Sequence, residues 1–142
     1  MGTDFAAKIA DDPTRLQELL TALAEAGVDM FHPSTRRHYV PEFPDYDPVL
    51  SLGGWTKKIT GLPVITVGSV GLETQFRLKQ AGEMIRPAPV DRVVEQFDAA
   101  EFDIVAIGRA LLADPAWVNR LRDGLLDGFN GYNADIALSA LT

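Results

Sequence analysis

Two short segments of this sequence carry the residue types best suited to binding an anion. Gly68 and Ser69 follow one apolar run, residues 63–67, and Gly108 and Arg109 follow another, residues 102–107. Glycine lets backbone amides approach an anion closely, and an arginine guanidinium can hold a phosphate through two parallel hydrogen bonds. Either segment alone also fits an ordinary turn followed by a solvated side chain. Together, at corresponding ends of successive strands, they predict one phosphate site.

The other residues capable of chemistry are interpreted as structural. His32 and His38 are the only histidines, and each fits a satisfied buried or loop histidine better than a ligand contact. The basic segment 34–37, Ser-Thr-Arg-Arg, fits a solvated loop better than an anion contact. Asp29 and Asp103 lie near the starts of two apolar runs, where we expect structural roles. We therefore predict no catalytic residue, and the lack of cysteine excludes thiolate metal sites.

Three apolar runs are predicted to be the strands that position the glycine segments. They are residues 28–32, 63–67 and 102–107. The last two are nearly continuous rather than alternating, which is typical of parallel strands covered on both faces. We expect Arg109 to open a short helical turn, residues 110–112, whose N-terminal amides favour negative charge.

A helix is predicted before the first run. Asp12 is a natural N-cap, Pro13 suits the first helical position, and Gly27 suits the position after the last turn. The apolar stripe of this helix comprises Leu16, Leu19, Leu20, Leu23 and Ala26. The Asp-Pro pair recurs at residues 47–48 and 114–115 and is predicted to open further helices there.

Three more helices are predicted between and after the strands. Residues 50–59 fit a helix, although Gly53 and Gly54 each cost about 1 kcal/mol relative to alanine. The helix over residues 90–97 is expected to place Val90, Val93, Val94 and Phe97 on one face. The helix after Asp114 is expected to turn Trp117, Val118 and Leu121 inward and to stop at Gly124.

The spacing of the strands predicts an α/β fold that is part of a (β/α)8 barrel. The runs begin 35 and 39 residues apart, from 28 to 63 and from 63 to 102, which suits βαβ crossovers. Three strands are few for a doubly wound sheet, and a closed barrel needs about 250 residues. We therefore expect one domain, residues 1–142, with a half-barrel-like architecture. The loop over residues 33–48 should lie at the carboxyl edge of the sheet, where long loops are usually functional.

Composition limits the classes of partner. The chain has 142 residues, a net charge of −7 and 46% apolar residues, which fits one globular domain. No run approaches the roughly 20 apolar residues that span a bilayer, and the acidic balance disfavours nucleic acid. No secretory signal is visible, so we expect a cytoplasmic protein without membrane or nucleic-acid partners.

Several segments resemble the C-terminal part of the Old Yellow Enzyme family, which comprises FMN-dependent NAD(P)H:flavin oxidoreductases, or ene-reductases, built on a (β/α)8 barrel. The resemblance covers residues 4–141, and the matching segments are residues 27–32, 34–37, 54–58, 60–71 and 102–115. The run Gly-Arg-Ala-Leu-Leu-Ala-Asp-Pro at residues 108–115 is the most specific of them.

The resemblance implies that the three runs are barrel strands six, seven and eight. Gly68 and Ser69 would then match the phosphate loop of the seventh strand. Gly108 and Arg109 would match that of the eighth, with Arg109 contacting the FMN phosphate. In a complete enzyme NAD(P)H would reduce FMN, and the reduced flavin would pass hydride to an activated alkene.

The resemblance also implies what this chain lacks. The first five strands of the family would carry the flavin-ring contacts, the His/Asn or His/His pair that binds the substrate, and the tyrosine proton donor. The family's fifth-strand arginine should lie before Asp4, so Arg36 is not assigned its role. Residues 77–82 are interpreted as a variable insertion. We expect the chain to be inactive alone and to pair with the missing N-terminal half or with a second copy of itself.

Two other functions fit the same residues. One is a non-catalytic, self-associating half-barrel scaffold with a vestigial anion site. The other is a different phosphate-binding barrel enzyme, which the two glycine segments alone would permit.

Overall fold

The computed structural model describes residues 8–73 and 82–139, which form a mixed α/β structure. In chain order the elements of these residues are α1 (Pro13–Glu25), α2 (Leu52–Thr60), β1 (Ile65–Val67), β2 (Met84–Ile85), α3 (Asp91–Asp98), β3 (Ile104–Ala106), α4 (Arg109–Ala113), α5 (Trp117–Arg122), a 3-10 turn (Leu126–Gly128), β4 (Tyr132–Asn133) and α6 (Ala134–Ser139). Most of the predicted insertion, residues 77–81, lies outside the described ranges.

A small parallel sheet lies at the centre of the fold. β1 pairs with β3 in parallel, with Val67 opposite Ala106. On the other side of β1, Phe31 forms a parallel bridge with Val64. The backbone bonds are Phe31 N–H to the Pro63 carbonyl at 3.0 Å and Ile65 N–H to the Phe31 carbonyl at 2.9 Å. The three predicted runs therefore lie side by side in chain order. Within the described residues, this sheet does not close into a barrel.

Two predictions about the outer strands are wrong in part: residues 28–32 do not form a full strand, and the third run is not buried on both faces. Residues 28–32 contribute only the bridge at Phe31, and Met30 is 44% exposed. At the opposite edge Ile104 of β3 is 46% exposed, whereas Val64 and Thr66 in the middle are almost completely buried. Both differences arise because residues 28–32 and β3 are the outer runs of the sheet. An outer run has a neighbouring strand on one side only, so part of it stays exposed.

A second strand pair has no counterpart in the sequence prediction. β2 and β4 pair antiparallel, with Ile85 opposite Tyr132. Gly131 precedes β4 with φ +94°, and a Cβ there would lie 2.0 Å from the Ile85 carbonyl oxygen. Two residues per strand are too few to show an alternating pattern, so this pair could not be found from periodicity.

The capping prediction for α1 is confirmed, but its buried face is narrower than expected. The Asp12 carboxylate accepts from Arg15 N–H at 2.9 Å, and Gly27 follows the helix with φ +99°. Leu16 and Leu20 are buried. The other two leucines of the stripe, Leu19 and Leu23, are 37% and 39% exposed.

α2 forms as expected, but Asp47 does not open it. Ser51 is the N-cap and its hydroxyl accepts from Gly54 N–H, whereas Asp47 accepts two backbone N–H groups in the preceding turn. A Cβ at Gly53 would lie 3.4 Å from the Thr66 hydroxyl oxygen. Gly53 therefore allows this helix to pack closely on β1, which offsets its low helix propensity.

The remaining predicted helices form but turn fewer apolar residues inward than expected. On α3, Val93 is buried while Val94 and Phe97 are 50% and 53% exposed. On α5, Trp117 is buried and Val118 is 47% exposed. α5 begins at Trp117 rather than beside Pro115, and the chain leaves it through Gly124 at φ +70°.

The core joins the sheet to α1, α2 and α5. Its most buried large side chains include Trp117, Leu16, Ile85 and Val64. None of the helices in the described parts of the chain has both the length and the apolar character required to cross a bilayer.

Candidate functional site

A cavity of about 310 Å³ opens at the carboxyl ends of β1 and β3. All four residues of the predicted phosphate site line it. The complete lining is Ser34, Thr35, Arg36, Val67, Gly68, Ser69, Val70, Leu72, Ala106, Gly108 and Arg109. The structure therefore brings the two glycine segments together at one opening.

The register of the parallel pair explains why these segments meet. Val67 lies opposite Ala106, so Gly68 comes one residue and Gly108 two residues beyond the last paired position. Neighbouring strands lie about 4.8 Å apart, and both chains leave the sheet at the same edge.

The segment after β1, residues 68–71, turns back through positive φ angles. Gly68 has φ +125° and Ser69 has φ +57°. The Ser69 hydroxyl donates to the Arg36 carbonyl at 3.0 Å, so its hydrogen is already engaged. Among the described residues, no backbone hydrogen bond outside the helices and strands is donated by the amide of Ser69 or of Gly108. This segment therefore offers an anion its amide groups rather than a hydroxyl donor.

Arg109 supplies the positive charge of the site. Its guanidinium is half-buried and lies 6.0 Å from the centre of the Tyr132 ring. Burial lowers the pKa of Arg109 below its usual value, while the interaction with Tyr132 opposes this shift. An arginine nevertheless stays protonated in proteins, so the side chain brings a partly desolvated cation to the cavity. The predicted helical turn forms as α4, but its five residues give it little dipole.

Residues 34–38, which we term the strap, form one wall of the cavity. Thr35 donates its hydroxyl to the Val67 carbonyl, and His38 N–H donates to the Gly68 carbonyl at 3.1 Å. Together with the bond from Ser69 to Arg36, these contacts hold the strap against the end of β1. The expectation that the 33–48 loop lies at this edge of the sheet is confirmed for the strap.

The interpretation of residues 34–37 as a solvated loop is wrong. Thr35 and Arg36 are half-buried and line the cavity, although the sequence analysis did not assign them to the site. A usable signal was present, because Arg36 and Arg37 form a basic pair in an acidic chain. Arg36 adds a second cationic residue to the lining.

His38 and Asp103 have the structural roles expected of them. His38 is 5% exposed, and its Nδ1 lies 2.6 Å from the Gln96 Oε1. Burial is the main reason that the pKa of His38 is lowered. Asp103 accepts from Lys57 at 2.9 Å and from Val64 N–H at 2.8 Å, and these bonds lower the pKa of its carboxyl. The second histidine, His32, is exposed.

The described residues contain no group of three histidine, aspartate or glutamate side chains arranged to hold a metal ion. A comparison of the sequence with protein-family models finds no match.

Proposed function

We propose that this chain is the FMN-phosphate-binding part of an NAD(P)H-dependent flavin oxidoreductase that resembles the Old Yellow Enzyme family. In this proposal Phe31, β1 and β3 correspond to strands six to eight of a (β/α)8 barrel. The observation that carries the proposal is the convergence of Gly68, Ser69, Gly108 and Arg109 on one cavity at the strand ends.

The residues of the cavity fit a phosphate group. Backbone amides and one guanidinium converge there, and both kinds of donor suit the oxygens of a dianion. A Cβ at Gly108 would meet no atom within 4 Å, so protein packing does not require glycine at that position. Close approach of a ligand to the backbone would require it. Gly68 differs, because the strap already excludes a side chain there.

Each group in this chain would then have a defined task. Bound FMN would supply the hydride-transfer chemistry, since the cofactor rather than the protein carries the redox reaction. The amides of Gly68, Ser69 and Gly108 would hold the phosphate oxygens, and Arg109 would balance their charge. The strap would cover one side of the phosphate and restrict its contact with water. We assign no proton donor or ring contact to this chain.

A partner belongs to the same proposal. Apolar side chains are exposed at both outer edges of the parallel sheet, with Met30 44% and Ile104 46% exposed. Unpaired edges and exposed apolar groups of this kind favour association. A segment that supplies the other barrel strands, or a second copy of this chain, would cover them, and light scattering during size-exclusion chromatography distinguishes either complex from a monomer.

The alternative is a self-associating scaffold without flavin chemistry. The exposed apolar residues on α1 and α3, among them Leu23, Val94 and Phe97, favour it because they require a covering surface rather than a ligand. The two functions differ in one measurable property, since a scaffold has no need to bind FMN.

The test is a titration of FMN fluorescence with the purified chain, alone and with its partner where one is found. Arg109→Ala should weaken binding about 30- to 160-fold, because charge-assisted hydrogen bonds contribute about 2–3 kcal/mol. Arg120→Ala is the matched control, since Arg120 of α5 does not line the cavity and pairs with Asp114 at 3.0 Å. Riboflavin, which lacks the phosphate, should show no difference between Arg109→Ala and the native chain. Failure of the native chain and its complex to bind FMN would leave the scaffold alternative.

The chain alone should show no ene-reductase turnover. Measurable alkene reduction by this chain with NADPH and FMN would contradict the proposal that residues 1–142 contain no catalytic group.

A further inference from the structure

Gln96 of α3 is a buried polar residue that the proposed function has not used. It is 1% exposed, and every hydrogen-bonding atom of its amide has a protein partner. Its Nε2 donates to Glu101 Oε2 at 2.8 Å and to the His38 carbonyl at 3.3 Å. Its Oε1 lies 2.6 Å from His38 Nδ1. Gln96 therefore contacts both the backbone and the side chain of one strap residue.

These partners define the orientation of the amide and the tautomer of the histidine. A carboxylate oxygen and a carbonyl oxygen are acceptors, so the nitrogen of Gln96 must face them. The remaining atom, Oε1, can only accept, and His38 Nδ1 must therefore carry the hydrogen. The neutral His38 ring is thus held in the Nδ1–H form.

The network connects two helices to the end of β1. The Ser51 hydroxyl, which caps α2, donates to the same Glu101 oxygen at 3.2 Å. On the other side, His38 N–H donates to the Gly68 carbonyl at 3.1 Å. A continuous path of hydrogen bonds therefore runs from the start of α2 through Gln96 to the segment that begins at Gly68.

We propose that Gln96 is a positioning residue for the anion-binding cavity: it holds His38, and His38 seats the strap against Gly68. The effect on FMN binding rests on the proposed function, whereas the seating of the strap by His38 and Gln96 does not. Gln96 itself does not line the cavity, so it acts only through the strap. A buried polar network is costly unless fully satisfied, and this one orders a surface loop that has little apolar core of its own.

Gln96→Met is the principal test. Methionine approximates the length of glutamine and removes both donors and the acceptor. FMN should bind about tenfold more weakly, because the population with a seated strap falls by about that factor. Amide hydrogen exchange at His38 should be faster, and the imidazole ¹⁵N shifts should lose the Nδ1–H signature. A purely structural role would leave the FMN affinity unchanged relative to a control of equal stability.

Two further variants separate positioning from general destabilisation. Thr56→Val removes another buried side-chain hydrogen bond, from the Thr56 hydroxyl to the Leu52 carbonyl at 2.7 Å inside α2. It should lower stability without changing FMN affinity or His38 exchange. Glu101→Gln keeps an oxygen that can accept from Gln96 and Ser51, so its FMN affinity should stay near that of the native chain.

The outcomes distinguish this inference from the proposed function. If Gln96→Met binds FMN as tightly as the Thr56→Val control, the positioning role is wrong. If the native chain binds no FMN, the proposed function fails. The amide hydrogen exchange rate of His38 then decides by itself whether Gln96 seats the strap. Faster exchange in Gln96→Met then supports the seating of the strap, and unchanged exchange overturns it.

Discussion

An alanine at position 68 would bring its Cβ into contact with the backbone of the strap. That atom would lie 2.7 Å from the Thr35 carbonyl oxygen, 2.8 Å from the carbonyl carbon of Arg36 and 2.9 Å from the Arg37 nitrogen. All three are backbone atoms, which no side-chain rotation can move. Gly68→Ala should therefore displace the strap as a whole.

The expected loss of stability has two parts. The φ of +125° is costly for any residue with a Cβ, by about 1–2 kcal/mol. Displacing the strap also breaks its three hydrogen bonds to residues 67–69, and each contributes about 1 kcal/mol. We expect the free energy of unfolding to fall by about 4–5 kcal/mol in total if all three bonds are lost.

Gly27→Ala is the matched control. Gly27 also has a positive φ, of +99°, but a Cβ there would meet no atom within 4 Å. The free energy of unfolding of Gly27→Ala should therefore fall only by the cost of the positive φ, about 1–2 kcal/mol. Urea unfolding followed by circular dichroism measures both variants. Equal losses at the two positions would refute the reasoning, because the strap would then not be seated on Gly68.

Two further predictions concern His38 and the β2–β4 pair. Burial lowers the pKa of His38, and the positive charge of Arg92 reinforces this shift. The Gln96 hydrogen bond and the negative charge of Glu101 oppose it. The free energy of unfolding should therefore be highest above the unfolded pKa of about 6.5 and fall as pH drops through the lower folded pKa. Urea midpoints measured across this pH range test the prediction. In His38→Gln the midpoints should lose the part of their pH dependence that His38 contributes. Gly131→Ala would place a Cβ 2.0 Å from the Ile85 carbonyl oxygen. Its loss of stability in urea should therefore exceed that of Gly27→Ala, where a Cβ meets no atom within 4 Å. A loss no greater than the control would contradict the close pairing of β2 and β4.

Features that depend on neighbouring residues were predictable from the sequence. Asp12 and Gly27 bound α1 as expected, because capping uses atoms within one turn of the helix. The order of the three parallel runs was also predictable from their spacing. The convergence of Gly68 and Gly108 follows from that order, since parallel strands end at the same edge.

Features that depend on distant partners were not predictable. Periodicity identified the apolar face of α3, but it could not show that Val94 and Phe97 would lack a covering surface among the described residues. The strap was assigned to solvent because its hydrogen bonds reach residues more than 30 positions away. Glycine at position 68 was attributed to a ligand, whereas the structure shows that the strap already requires it.

The most direct test of the central claim is a titration of the ¹⁵N-labelled chain with FMN, followed by amide NMR, with riboflavin as the matched ligand. The account predicts that the amide resonances of Gly68, Ser69 and Gly108 shift on addition of FMN and stay unchanged with riboflavin. Shifts confined to other residues, or equal shifts with both ligands, would contradict a phosphate site at these strand ends.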